Sequence, residues 1–172
     1  MRDYLIDSNI LGYWFNPNYK EHENVLKKAS EIQEDSKIWI SAITWGEIEY
    51  GYWCLKIKGQ NSLEGEFRQF INRLKPIEYP IDKHVTEVYG KIRARLFDNC
   101  PPKGKKKKKS PEQLIDPATS SELQIQENDL WIASQAITRN MVLVTNDKKS
   151  FKPLLKAVQD ASENLIIDNW AE

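Results

Sequence analysis

YLIDSNIL, residues 4–11, decides the fold. Tyr4, Leu5 and Ile6 form an apolar run of the kind that fills a buried strand, and the run ends on a carboxylate, Asp7. A charge at the end of a buried strand is costly unless a hydrogen-bond donor, a basic side chain or a metal ion matches it. The rest of the sequence has to supply that partner.

The totals narrow the choice. A chain of 172 residues with 40% hydrophobic and 29% charged residues suits one compact domain with a real core. Lys and Arg balance Asp and Glu at 25 each, so the molecule as a whole has no electrostatic footprint for nucleic acid, and any such surface is local. Two cysteines, Cys54 and Cys100, cannot build a disulfide framework or a zinc site. The two histidines, His22 and His84, do not stand at a metal-ligand spacing. No apolar stretch approaches the roughly 18 residues that span a membrane, and MRDYLID meets an acid too soon for a signal peptide. The expectation is a cytoplasmic, reduced, soluble protein with no membrane partner.

Hydrophobic periodicity gives alternating strands and helices. RDYLI is a first strand, ILGYWF a short helical stretch stopped by Pro17, and residues 19–35 a helix on Val25, Leu26, Ala29 and Ile32. KIWISAI is a second strand, and Thr44 opens the next helix, TWGEIEYGYWCLKI. SLEGEFRQFINRL is a helix, PIEYPI a short strand between prolines, and Asp82 caps a helix striped by Val85, Val88, Ile92 and Leu96. Residues 98–126, with four prolines and lysines 105–109, read as a mobile surface insertion within a single 1–172 domain. NDLWIASQAITRN is a helix, MVLVT a strand, NDKKSF a turn, KPLLKAVQDA a helix and NLIID a last strand. This alternation is the signature of an α/β fold with a mostly parallel sheet.

In such sheets ligands bind beyond the carboxyl ends of the strands. Four acids fall at strand-to-helix junctions: Asp7 after the first strand, Glu47 after the second, Asp129 at the start of the helix after the insertion, and Asp147 after MVLVT. Each also has a plain structural role open to it. Glu47 completes a capping box with Thr44, Asp129 sits where a helix dipole favours negative charge, Asp147 is a turn residue, and Asp7 can cap the following helix. Gathered together, the four would repel. Two like charges about 4 Å apart cost about 4 kcal/mol at an effective dielectric near 20, and a divalent cation relieves this. An all-oxygen set suits Mg2+ or Mn2+, ions that clamp phosphate oxygens and activate water. The chain has no GxxxxGK[ST] loop and no Gly-x-Ser-x-Gly elbow, which excludes the usual nucleotide-triphosphate and esterase sites.

In these residues the chain resembles the PIN-domain nucleases, most closely the VapC-like toxins of toxin–antitoxin pairs. YLIDSNIL is similar to the family's D-[ST]-N-x-L opening, ISAITWGEIEYG to its second motif, and ENDLWIASQAI to its D-x-x-I-A-A segment. LVTNDKKSF, with Thr145, Asn146, Asp147 and Phe151, is similar to its T-N-D-x-x-F segment, and ENLIIDNW to its last strand. The resemblance implies a three-layer α/β/α sandwich around a mostly parallel sheet. It implies Mg2+- or Mn2+-dependent hydrolysis of RNA, a homodimer, and a small antitoxin protein as partner. By the same resemblance Asp7, Glu47, Asp129 and Asp147 are the catalytic and metal-holding acids, and Ser8, Asn9, Thr145 and Asn146 support them or touch substrate. Ser134 departs from the family's alanine, and the lysine-bearing insertion replaces a brief connection.

Outside the motifs, Trp39, Trp45, Trp53 and Trp131 fit core or dimer-interface positions, and Trp14 is placed to stack on a base or an antitoxin side chain. Arg93 and Arg95 read as solvent-facing, Cys54 as buried and His84 as a helix-surface residue. Two rival functions remain open at this stage: a PIN-like binding or regulatory domain that does not cut, and aspartate-based phosphoryl chemistry. The second wants D-x-D and finds Asn9 in place of the second acid.

Overall fold

The computed structural model of the chain describes residues 2–102, 110–123 and 125–172, so lysines 105–109 lie outside the described residues. In chain order the elements are β1 (Tyr4–Ile6), α1 (Ser8–Phe15), α2 (His22–Ser30), β2 (Ile38–Ser41), α3 (Ala42–Ile57), α4 (Glu64–Leu74) and β3 (Ile77–Tyr79). Then follow α5 (Lys83–Asn99), a 3-10 turn at Pro111–Gln113, α6 (Glu127–Thr138), β4 (Val142–Val144), α7 (Lys148–Asp160) and β5 (Ile166–Asp168). The fold is α/β, with a sheet in the order β3-β2-β1-β4-β5. β1 pairs in parallel with both β2 and β4, and β2 in parallel with β3. Among the described residues no helix is long and apolar enough to cross a membrane.

The chain divides into two compact units. The first comprises Met1–Pro80, Val142–Asn146 and Ile167–Glu172 and contains the sheet. Its central strands read as continuous apolar runs because both of their faces are buried: Leu5, Ile6, Ile40 and the whole of β4 lie in the core. α1 buries Ile10 and Leu11, and α4 buries Phe67 and Ile71. Phe15, Phe67, Phe70 and Tyr52 form an aromatic cluster with ring centroids 5.3–6.0 Å apart. Trp14 belongs to this packing: its ring lies 5.9 Å from both Phe70 and Trp170. The aromatic read as a stacking surface is therefore occupied by its own unit. α2 stops at Ser30, short of the periodicity expected through residue 35, and Leu26 is exposed.

The second unit, Ile81–Met141 with Asp147–Ile166, packs α5 against α6 and α7. The expected cap holds: Asp82 Oδ1 accepts from Val85 N at 3.0 Å. Val85, Ile92 and Leu96 of α5 share this core with Leu130, Ala133 and Ala136 of α6 and Leu154 and Ala157 of α7. Residues 110–123 carry local structure, with a bridge between Ile115 and Glu122 and with Leu114 and Leu123 buried. α7 begins at Lys148, inside the stretch read as a turn. Ser134 is fully buried and satisfied within its helix, donating to Leu130 O at 2.7 Å.

Candidate active site at the carboxyl ends of β1 and β4

The strand order reverses at β1 and β4. From β1 the chain steps outward through β2 to β3, then returns to the other side of β1 at β4. Such a switch point opens a crevice at the strands' carboxyl ends. Asp7 follows β1 there, and Thr145 and Asn146 follow β4. Asp7 N donates to Val144 O at 3.0 Å, continuing the ladder one residue past the strands.

The Asp7 carboxylate is only 8% exposed, and neutral donors are among the groups that hold it. Its Oδ1 accepts from Ser8 N at 2.7 Å, which makes Asp7 the N-cap of α1. Its Oδ2 accepts from Thr145 Oγ1 at 2.8 Å and from Asn9 Nδ2 at 3.0 Å. Asn146 N donates to Asn9 Oδ1 at 3.4 Å. Four of the residues picked from the motifs, Asp7, Asn9, Thr145 and Asn146, thus form one network across 137–138 positions of sequence, with Ser8 at its edge.

The network reaches two residues that the sequence did not single out. Asn146 Oδ1 accepts from Asn169 Nδ2 at 3.1 Å, and Asn146 Nδ2 donates to Tyr13 Oη at 3.5 Å. Tyr13 lies about one turn beyond Asn9 on α1, and Asn169 immediately follows β5. No spacing rule links them to Asn146; only the closed sheet does.

Glu47 also belongs to the first unit, on α3. The capping role expected for it is overturned. Ser41 is the N-cap, its hydroxyl accepting from Ile43 N at 2.9 Å, so α3 starts two residues before Thr44 and Glu47 stands in its second turn. Thr44 is fully buried, and its Oγ1 has no hydrogen-bond partner among the described residues.

Asp129 and Asp147 belong to the second unit. Asp129 is the third residue of α6 rather than its first, and it does fill a capping role. Its Oδ2 accepts from Gln126 N at 3.1 Å while the Gln126 side chain accepts from the Asp129 backbone. Asp147 precedes α7 directly, two residues after Thr145. Neither unit holds three of the four acids, and among the described residues no group of three or more His, Cys, Asp or Glu is arranged to hold a metal ion.

The second unit has a carboxylate cluster of its own. Glu127, the first residue of α6, accepts from Tyr89 Oη and pairs with the Arg93 guanidinium. The Tyr89 ring stacks on Trp131 at 3.6 Å and 4°. Arg93, read as solvent-facing, is thus engaged, and Arg95 lies 3.8 Å from Asp98. Burial pushes the Glu127 carboxyl above its usual range.

The chain belongs to the PIN domain family, whose model matches residues 4–154. Within that family it stands among the VapC-type ribonuclease toxins. It is 32% identical over 167 residues to Ribonuclease VapC2 of Rickettsia felis, covering 97% of each chain. Its fold is similar to the crystal structure of VapBC2 from Rickettsia felis bound to a promoter DNA fragment, with a TM-score of 0.62, 29% identity and coverage of 97% and 98% of the two chains. It is similar also to VapBC-1 from nontypeable Haemophilus influenzae, with a TM-score of 0.63, 21% identity and 98% coverage of each chain, a likeness of fold.

Proposed function

We propose that this chain hydrolyses RNA phosphodiester bonds as the toxin of a toxin–antitoxin pair, in the cytoplasm, using Mg2+ or Mn2+. Asp7, Glu47, Asp129 and Asp147 would hold the ion directly or through water. The observation that carries this reading is the Asp7 carboxylate at the switch point, oriented by Ser8 N, Asn9 and Thr145. Such donors fix a carboxylate's direction, as orienting contacts do for metal ligands. The donor chemistry fits a hard ion, since all four acids offer oxygen. When bound, such an ion polarises the phosphate and lowers the pKa of a coordinated water. The chain's own contribution is positional: Thr145 and Asn9 set Asp7 Oδ2, and Asn146 locks Asn9 against the end of β4.

A small antitoxin protein as partner is supported by the 29% identical relative, which was solved as VapBC2 bound to DNA. We extend the proposal to a homodimer.

A cleavage assay on mixed RNA with Mg2+, Mn2+ or EDTA tests the reading, using the native protein, Asp7→Asn and Asp129→Asn. Cutting is expected with either metal, and is lost in EDTA and in both variants while circular dichroism stays unchanged. Undiminished cutting by the variants would remove the acids from the chemistry, and undiminished cutting in EDTA would remove the ion.

A further inference from the structure

Helix α1 carries a phenol whose hydrogen the network around Asp7 leaves over. Tyr13 is half-buried, and its Oη accepts from Asn146 Nδ2 at 3.5 Å. Among the described residues no acceptor lies within hydrogen-bond reach of its own O–H. The arrangement is fixed from behind. Ala171 N donates to Asn169 Oδ1 at 3.0 Å, which turns Asn169 Nδ2 onto Asn146 Oδ1 at 3.1 Å. With the oxygen arm of Asn146 committed to Asn169, its amide nitrogen faces Tyr13, which accepts from it and cannot donate to it. The Tyr13 ring is braced edge to face by Tyr19 at 5.2 Å, and its backbone by His22, whose Nδ1 lies 2.8 Å from Tyr13 O. Asn146 thus has two separate duties. Its backbone N–H holds Asn9, and through Asn9 the Asp7 carboxylate, while its side chain holds Tyr13. The surface alongside is open: Gly12 and Tyr13 both neighbour Asn9 on the helix, and a β-carbon added at Gly12 would meet nothing within 4 Å.

We propose that the Tyr13 hydroxyl is a substrate contact, donating to a phosphate oxygen of a single-stranded RNA laid across the carboxyl ends of β1 and β4. This rests on the nuclease reading above and adds to it the residue that seats the strand beside the cut. A group that can only donate needs an acceptor, and tyrosine hydroxyls are among the usual donors to nucleic-acid phosphates. Hydrogen bonds to a charged oxygen are the stronger kind, and every linkage offers one, so the contact does not depend on the base. Asn9 and Asn146 stand between Tyr13 Oη and the Asp7 carboxylate, so the acceptor is a phosphate neighbouring the one attacked at Asp7. Such a contact is made alike before and during the reaction, and it sets binding rather than the rate of the chemical step.

Steady-state kinetics on a short single-stranded RNA with Mg2+ test it, comparing the native protein with Tyr13→Phe, which keeps the ring and removes only the hydroxyl. KM is expected to rise about tenfold, the worth of one hydrogen bond to a charged group, with kcat and circular dichroism nearly unchanged. A neutral methylphosphonate is then placed next to the cut linkage, on each side in turn. On one side it is expected to raise the native KM by a similar factor and to have no such effect on Tyr13→Phe, because the two changes remove the same contact. A native KM in Tyr13→Phe, a loss confined to kcat, or equal sensitivity of both proteins to the methylphosphonate would overturn the contact and leave the nuclease reading in place. If the native protein does not cut RNA, the nuclease reading falls, and fluorescence anisotropy with the same RNA, labelled, decides the contact. Weaker binding by Tyr13→Phe sustains it; equal binding, or no binding by the native protein, overturns it.

Discussion

The two units each hold a partly buried carboxylate at the start of a helix, and they treat it differently. Asp7 is gripped by an amide, a hydroxyl and a carboxamide, whereas Glu127 is gripped by a guanidinium and a phenol. Hydrogen bonds from neutral groups fix a carboxylate's direction, and a guanidinium adds an opposite charge beside it. The first set of contacts joins the carboxyl ends of β1 and β4, and the second fastens α5 to α6. The two carboxylates differ in the groups set against them, where burial alone would class them together.

Asp7→Asn should break the contrast most severely. It keeps the size of the side chain and removes its charge, and a metal contributes several kcal/mol to the transition state. At about 1.4 kcal/mol per tenfold, initial rates of RNA cleavage should fall roughly a thousandfold. Thr145→Val should come next. It removes the hydroxyl that sets Asp7 Oδ2 inside a buried site, and loss of such an orienting contact costs about 10- to 100-fold in activity or metal affinity. Its urea unfolding midpoint should report a loss of about 1–3 kcal/mol. Equal rates in this variant and the native chain would mean that the Asp7 orientation is immaterial.

Arg93→Ala sharpens the other side. The Arg93–Glu127 pair is partly exposed, so its loss should cost no more than about 1 kcal/mol by urea denaturation and leave RNA cleavage unchanged. The smallest effect is one of pH. Because burial raises the Glu127 carboxyl above its ordinary 4.5, its contribution to stability is complete below that value and is lost as pH rises through the raised one. Without Arg93 to favour the charged form, this loss should be steeper in Arg93→Ala than in the native chain. Parallel stability curves across that interval would show that Arg93 does not act on Glu127.

Much of this was legible in the sequence because strand ends and caps are local. β1, β2 and β4 follow from their apolar runs, and Asp7 stands out because a charge closes one of them. Glu47 was harder. Thr44 and Glu47 have the spacing of a capping box, but Ser41 two residues earlier is the better-placed hydroxyl and takes the cap. The helix start, and with it the reading of Glu47, turned on which of two similar side chains won. Asp129 shows the reverse: the box is real but its partner is Gln126, a residue outside the usual Ser/Thr pattern. Trp14 was misjudged because the rings that receive it, Phe70 and Trp170, come from distant segments. Tyr13 and Asn169 were invisible for the same reason.

The hydrogen bond from Thr145 to Asp7 joins residues 138 positions apart, and the central strand pairs on one side with a strand that begins at Val142. Such distant pairings form late. A nascent chain on the ribosome therefore carries its first acid in an unfinished sheet until nearly all of its length has emerged. A chain that ended before β4 would lack both the strand that pairs with β1 and the Thr145 hydroxyl that holds Asp7 Oδ2.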